Sequence, residues 1–422
     1  MPRLRLALLA TVCALASAVQ QTIPKEEYRA RRAELRKAVS DGVVVLFGEK
    51  AREDDHSRSG FLQEPNFFHL TGWEEPGAIL VIAPPAAEML FLPPHDPKME
   101  RYTGPKTSAE DENARAVTGF EQVLPADKFE TQFSKLLETS PKVYARNGQS
   151  SAAPLKGLLA GREALDAGAA IARLRMKKSA REFELIQRAV NVTLQAHRAA
   201  WKRIAAGLFE YQIAATMTAT ILEAGCEGNA YAPIVGSGPN ALVLHYEKNS
   251  RQMNKGELLL MDVGGECSAY AADITRTAPV SGKFTARQRE LYNVVLGAQK
   301  ALIAAVKPGL LPGKDRTTPN SLYKIAYDYI DSHGRDLEGH SLGQYLTHGV
   351  SHHVGLDVHD PGAPDQPLEA GMVITVEPGI YLPKEGLGIR IEDMVLVTLN
   401  GARVLSAALP READQIEKAM AR

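Results

Sequence analysis

Four carboxylates sit inside runs of residues that would otherwise read as plain buried strand. Asp262 ends the run LLLMD, Asp273 lies in ADITRT, Glu377 follows MVITV, and Glu392 sits in IRIEDMVLV. Short aliphatic runs of this kind, bounded by Gly or Pro, predict buried strands. An ionised carboxylate among aliphatic side chains is costly unless it meets a partner or a metal ion. The last part of the chain must therefore fold so that these acids meet compensating charge. Asp262 and Asp273 are eleven positions apart, and Glu377 and Glu392 fifteen. Two strands joined by such a turn place each pair side by side across a ladder, and two hairpins of this kind make a four-carboxylate cage.

Between the two pairs lies HGVSHHVGLDVHD, which holds His348, His352, His353 and His359, four of only eleven histidines in the chain. A lone histidine is usually a packed or surface residue; a cluster beside buried acids is a candidate ligand set. His352 and His353 are adjacent, so on a strand they face opposite sides and only one can enter the cage. His245, in LVLHYEKN, follows the loop GSGPN and is weak evidence alone. Carboxylates with imidazole form a hard, oxygen-rich site that suits Mn²⁺, Fe²⁺ or Co²⁺, with Zn²⁺ as a second choice. Enough carboxylates to share between ions points to two metals and a shared hydroxide, the equipment of hydrolysis.

At 422 residues the chain has room for two domains. Its net charge of −1 gives no electrostatic case for nucleic acid or an anionic membrane. Arg3 and Arg5 precede an apolar stretch from Leu6 to Ala16, and Ala16-Ser17-Ala18 has the A-x-A form. This reads as a signal peptide, residues 1–18, cleaved after Ala18 to give an exported chain. The stretch is short for a membrane span, and no other segment is a candidate. Cys226 and Cys267 then remain; two cysteines make no disulfide framework, and free buried thiols are the expectation.

Residues 19–170 mix helices and strands and read as an α/β domain around a sheet. Lys25 to Val39 is a charged helix, with Arg29 to Arg32 expected on its solvated face. Gly42 to Gly48, Phe67 to Leu70, Ala78 to Ala83 and Met89 to Leu92 are expected strands. The character changes near residue 170. Ser179 and Glu182 form a capping box ahead of a helix with apolar residues at three-to-four spacing. Further helices are expected over Phe209 to Ala224, from Thr285 onward, and from Thr318-Pro319 to about Gly334. Strands are expected at 257–263, 270–277, 372–377 and 388–397. Residues 171–422 form the second, α+β domain.

With these motifs in place, the chain resembles the pita-bread metallopeptidases, in particular their aminopeptidase P branch. The similar segments are LHYEKN, MDVGGECSAYAADITRTAPVSGKFT, HGVSHHVGLDVHD, TVEPGIY and IRIEDMVLV. The first half resembles the amino-terminal domain of that branch through VVVLFG, EPNFFHLTGWEEPGAILVI and MLFLPPHDPKMERYTG. The resemblance implies a site of two divalent ions, Mn²⁺ first among them, with Asp262, Asp273, His352, Glu377 and Glu392 as ligands and Asp273 and Glu392 as bridges. It makes Glu377 a proton shuttle, gives His245 and His359 hydrogen bonds to the substrate, and sets His348 beside a proline ring. Arg390 would orient a ligand carboxylate. His353 stands where the family often carries an aromatic and receives no role. The implied substrates are peptides with proline in second position, and the implied assembly is a homodimer or homotetramer. A prolidase acting on dipeptides is the nearest alternative. No arginine lies between His359 and Gly371, where prolidases recognise a dipeptide's carboxylate, and this favours longer peptides. Methionine aminopeptidase leaves the first domain unexplained, a creatinase-like enzyme needs no metal, and a non-enzymatic binding module would be expected to lose ligands.

Overall fold

A computed structural model describes residues 22–51, 61–140, 142–146, 152–153, 155–159 and 161–421; the expected signal peptide lies outside them. The first part of the chain is built on one mixed sheet. Its strands are β1 (Gly42–Phe47), β2 (Ile79–Ala83), β3 (Ala87–Leu92), β4 (Gln122–Pro125), β5 (Lys142–Ala145) and β6 (Leu165–Asp166), in spatial order β4-β3-β2-β1-β5-β6. The run Val43-Val-Val-Leu-Phe47 shows why the sheet needs cover on both faces. Val44 and Leu46 pack with Leu35, Phe67, Leu70 and Ile171, whereas Val43, Val45 and Phe47 pack with Phe129, Phe133 and Leu137. All five are essentially buried, and each contributes about 1.5–3 kcal/mol on burial. The result is an α/β domain with α1 (Lys25–Ala38), α2 (Pro65–Thr71) and α4 (Gly168–Met176) on one face and α3 (Phe129–Thr139) on the other.

Two expectations fail here. Phe67 to Leu70 is helix, not strand: Glu64 caps it by accepting from the Phe67 amide at 2.6 Å, Pro65 opens it, and Gly72 closes it at φ 63°. Arg31 and Arg32 are buried rather than solvated. Arg31 reaches Glu27 at 2.6 Å and Glu182 at 3.3 Å. Arg32 reaches Glu88 at 2.7 Å and the Leu70 carbonyl at 2.9 Å, and lies 3.9 Å over the Phe120 ring. Each guanidinium is thus paired as burial demands.

Helix α5 (Ala180–Arg203) opens the second part with the expected capping box, Ser179 accepting from the Glu182 amide and Glu182 accepting from that of Ser179. It packs with α6 (Glu210–Glu223), and α7 (Ala286–Ala305) packs with α8 (Leu322–His333). Helix α8 starts later than expected. Ser321 caps it, and Asn320 holds φ 49°, which a helix cannot continue through. The helices surround small antiparallel sheets: β8 (Ile234–Ser237), β9 (Leu258–Asp262) and β12 (Thr275–Pro279) in one; β13 (Val373–Val376), β16 (Asp393–Thr398) and β17 (Gly401–Val404) in another; and the pair β14 (Gly379–Leu382) and β15 (Leu387–Arg390). This is the pita-bread arrangement expected of the α+β part. Among the described residues no helix is long and apolar enough to cross a membrane.

Cys226 and Cys267 form a disulfide, which corrects the expectation of free thiols. Cys267 sits on β10 (Gly265–Cys267), which pairs with β7 (Gly228–Asn229) just after Cys226, so strand pairing brings the two sulfurs together.

Candidate metal centre

The two long strands expected to carry Asp273 and Glu392 are each broken at the acid. Residues 270–271 form β11, β12 begins at Thr275, and Asp273 lies in the gap. β15 ends at Arg390, β16 begins at Asp393, and Glu392 lies between. Asp262 closes β9 opposite Thr275, and Glu377 follows β13, whose last residue Val376 faces Asp393. All four acids therefore stand at strand ends, where backbone turns aim their side chains into one cavity. The Glu392 amide donates to the carbonyl of Thr275 on β12 at 3.0 Å, which ties that sheet to the β15–β16 link, and the Glu377 amide donates to the Val350 carbonyl at 3.0 Å.

The cavity is about 330 Å³ and is lined by Asp262, Asp273, His352, Glu377, Glu392, His245, His348, His359 and Arg390, so every site residue expected from sequence converges on it. One ligand atom each from Asp273, His352 and Glu392 lie within 4.8 Å of one another. The His352 Nδ1 lies 3.0 Å from the His353 carbonyl, an acceptor only. That bond leaves Nε2 as the free lone pair, 3.4 Å from Asp273 and 3.4 Å from Glu377. The ring of His359 lies 4.2 Å from that of His352. His353 faces away; its ring is buried against Gly362, and neither nitrogen has a hydrogen-bond partner among the described residues.

Arg390 ties the cage together. It donates to Asp262 at 2.5 Å, to Tyr381 at 2.7 Å and to the Thr275 hydroxyl at 3.2 Å. Tyr381 in turn lies 2.9 Å from the His348 Nε2. Several groups here escaped the sequence reading. The Tyr231 hydroxyl lies 2.6 Å from Asp262 and 2.5 Å from Asp273, so its one proton serves one acid at a time. The Thr275 hydroxyl donates to Glu392 at 2.7 Å, and that of Thr375 to Glu377 at 3.0 Å. The threonines alternate with apolar residues as any strand threonine does, and Tyr231 stands in a loop without a motif of its own. Behind His359, the buried Arg175 of α4 reaches Asp357 and Asp360 at 2.6 Å each and Asn66 at 2.8 Å, and Lys178 reaches Asp360 at 2.7 Å.

The electrostatics call for added positive charge. Among the described residues that line the cavity, Arg390 is the only Lys or Arg, against the buried Asp262, Asp273 and Glu392, the partly buried Glu377 and the exposed Glu247. Burial and the neighbouring acids push Glu392 well above the usual carboxylate range. Burial pushes Glu377 up to about 7, with Asp273 adding to the rise and His352 opposing it. Burial and Asp262 raise Asp273. Burial also works against the charge of Asp262, but Arg390 and Tyr231 outweigh it and hold that acid low. Burial lowers His352, yet Asp273 and Glu377 carry it up to about 9. A positive charge at its Nε2 is thus what the surroundings favour. Hard oxygen donors plus one imidazole with a lone pair facing two carboxylates fit divalent cations well.

The profile of metallopeptidase family M24 matches residues 184–399, and that of the aminopeptidase P N-terminal domain matches residues 28–144. The chain is 32% identical to the Xaa-Pro aminopeptidase of Haemophilus influenzae, over 94% of this chain and 98% of that one. A solved structure described as a putative aminopeptidase P from Bacillus anthracis is 32% identical, covers 94% of this chain and 98% of its own, and superposes with a TM-score of 0.86. Zinc-substituted Escherichia coli aminopeptidase P in complex with product is 29% identical over 94% and 98%, with a TM-score of 0.85. The chain belongs to metallopeptidase family M24, and it carries ahead of the M24 domain the N-terminal domain of aminopeptidase P.

Proposed function

We propose that this protein is a two-metal aminopeptidase that hydrolyses the first peptide bond of chains whose second residue is proline. The observation that carries the reading is the convergence of Asp262, Asp273, His352, Glu377 and Glu392 on one cavity beside three further histidines, in a chain whose relatives are named Xaa-Pro aminopeptidases. Those five residues would hold two divalent ions, with Asp273 and Glu392 shared between them and manganese the first choice. Such ions, when bound, lower the pKa of a shared water and polarise the scissile carbonyl.

The chain's own residues do the rest. Glu377 accepts the proton of the attacking water and returns it to the leaving proline nitrogen. His245 and His359 stand across the cavity mouth and donate to the substrate and to the developing oxyanion. His348, held by Tyr381, lines the side where the proline ring would lie. Proline fixes φ and has no amide N–H, so its peptide bond presents a distinct shape that a pocket can select.

Longer peptides are favoured over dipeptides. Arg175, packed behind His359, has both terminal nitrogens engaged by Asp357, Asp360 and Asn66 and so makes a poor clamp for a free carboxylate. A second hollow of about 550 Å³, between the two parts of the chain, shares His359 as a wall and gives room for residues beyond proline. The domain division near residue 170 is proposed with support from the last sheet strand ending at Asp166 and α5 starting at Ala180. Export is proposed with support from the Cys226–Cys267 disulfide, a bond that persists in oxidising compartments. A homodimer or homotetramer is proposed on family likeness alone.

Anomalous scattering from crystals grown with Mn²⁺ tests the metal assignment. Two peaks about 3.5–4 Å apart within the five-ligand cage are expected. Replacing Glu392 by Gln should abolish metal-dependent turnover with the fold retained, and near wild-type turnover would remove its bridging role.

A further inference from the structure

The ring of His245 is exposed at the cavity, and no hydrogen bond among the described residues fixes it. Its place depends on the backbone that carries it, and that backbone is gathered around one buried carboxylate. Glu210, the first residue of α6, is fully buried. Its Oε1 accepts from the Ser237 amide at 2.6 Å, the Ser237 hydroxyl at 2.7 Å and the Asn240 amide group at 3.1 Å. Its Oε2 accepts from Asn240 at 3.2 Å, the Tyr246 hydroxyl at 2.9 Å and the Arg251 amide at 2.9 Å. The Glu210 amide closes the ring by donating to the Arg251 carbonyl at 3.0 Å.

These donors bracket His245 on both sides, and Tyr246 is its immediate neighbour. The guanidinium of Arg251 is engaged by Glu257 at 2.5 and 2.6 Å, so hydrogen bonds and the helix N-terminus, not an ion pair, stabilise the Glu210 charge. A buried carboxylate that accepts so many bonds is costly to disturb. It resembles a structural hub, yet the segment it organises places His245, the one imidazole in that segment, on the cavity wall beside Glu247.

We propose that Glu210 is a positioning residue: it sets His245 for substrate through the 237–251 segment without reaching the cavity itself. The inference rests on His245 acting on substrate. Glu210→Gln keeps the shape but turns an N–H donor toward the Arg251 or Tyr246 side. Amide hydrogen exchange of metal-loaded E210Q should be faster across residues 242–247 than in wild type and unchanged in the strands of the metal cage. Its kcat/KM on an Xaa-Pro-Yaa peptide should fall on the order of tenfold to a hundredfold. In an H245A background the same change should cost nothing further, because residues acting as a unit are non-additive. Tyr246→Phe, which removes a single donor, should show the same pattern more weakly and serves if E210Q does not fold.

Losses that multiply in the double variant, or unchanged exchange across 242–247, would overturn the proposal. A wild-type protein inactive on Xaa-Pro peptides would instead refute the functional reading, and the exchange result would still judge the anchoring.

Discussion

Arg390 and Asp262 form a buried pair at 2.5 Å, and the same guanidinium holds Tyr381 at 2.7 Å. One side chain thus orients a proposed metal ligand and, through Tyr381, the histidine beside the proline position. Outer partners of metal ligands are commonly worth tenfold to a hundredfold in affinity or activity. We expect Arg390→Ala to weaken metal binding and lower kcat/KM by about that factor. Arg390→Lys should not rescue it, since an ammonium cannot reproduce the planar fork. Isothermal metal titration beside steady-state kinetics checks both. Full rescue by lysine would reduce Arg390 to a charge.

Glu266 gives a pH signature remote from the cage. Burial, with Glu227 and Asp357 adding, raises its carboxyl to about 7. Its unfolded value is near 4.3, so the native state holds the extra proton between those values. Where the native state binds more protons, stability falls as pH rises. The penalty is absent below the unfolded value and is complete above the folded one. Replacing Glu266 by Gln should therefore raise Tm little at pH 4.5 and clearly at pH 8. An equal Tm difference at both would contradict this origin.

Much of the site was legible because buried charge is so costly that four acids in aliphatic runs had to meet. What was not legible depends on contacts the chain makes elsewhere. Sequence separation alone does not say that Cys226 and Cys267 meet; the β7–β10 pairing does. Arg31 and Arg32 read as surface charges until Glu182 and Glu88 arrive from other segments. Phe67 to Leu70 has strand-like residues, yet Pro65 and Gly72 were helix punctuation in plain sight and outweighed them. The breaks at Asp273 and Glu392 were hidden by unbroken apolar patterns. Tyr231 carries no local signal at all.

The export reading predicts a mature chain beginning near Val19 with no free thiol. N-terminal sequencing and thiol labelling of protein from its native source check both. A chain beginning at Met1 with three free thiols, Cys13 among them, would remove the reading. Replacing Cys226 and Cys267 together by serine should cost about 2–4 kcal/mol, measured by denaturant unfolding.

The engaged terminal nitrogens of Arg175 and the hollow beyond His359 predict a higher kcat/KM for Xaa-Pro-Yaa than for the matching Xaa-Pro dipeptide. Parallel progress curves on the two substrates decide it. A tenfold preference for the dipeptide, about 1.4 kcal/mol in the transition state, would mark the protein as a prolidase instead.

The most direct test of the central claim is release of the N-terminal residue by the metal-loaded protein from Xaa-Pro-Yaa and from the matching Xaa-Ala-Yaa. Release from the proline peptide only, lost on chelation and restored by Mn²⁺, is the predicted result. Equal cleavage of the alanine peptide, or cleavage that survives chelation, would contradict a two-metal enzyme specific for proline.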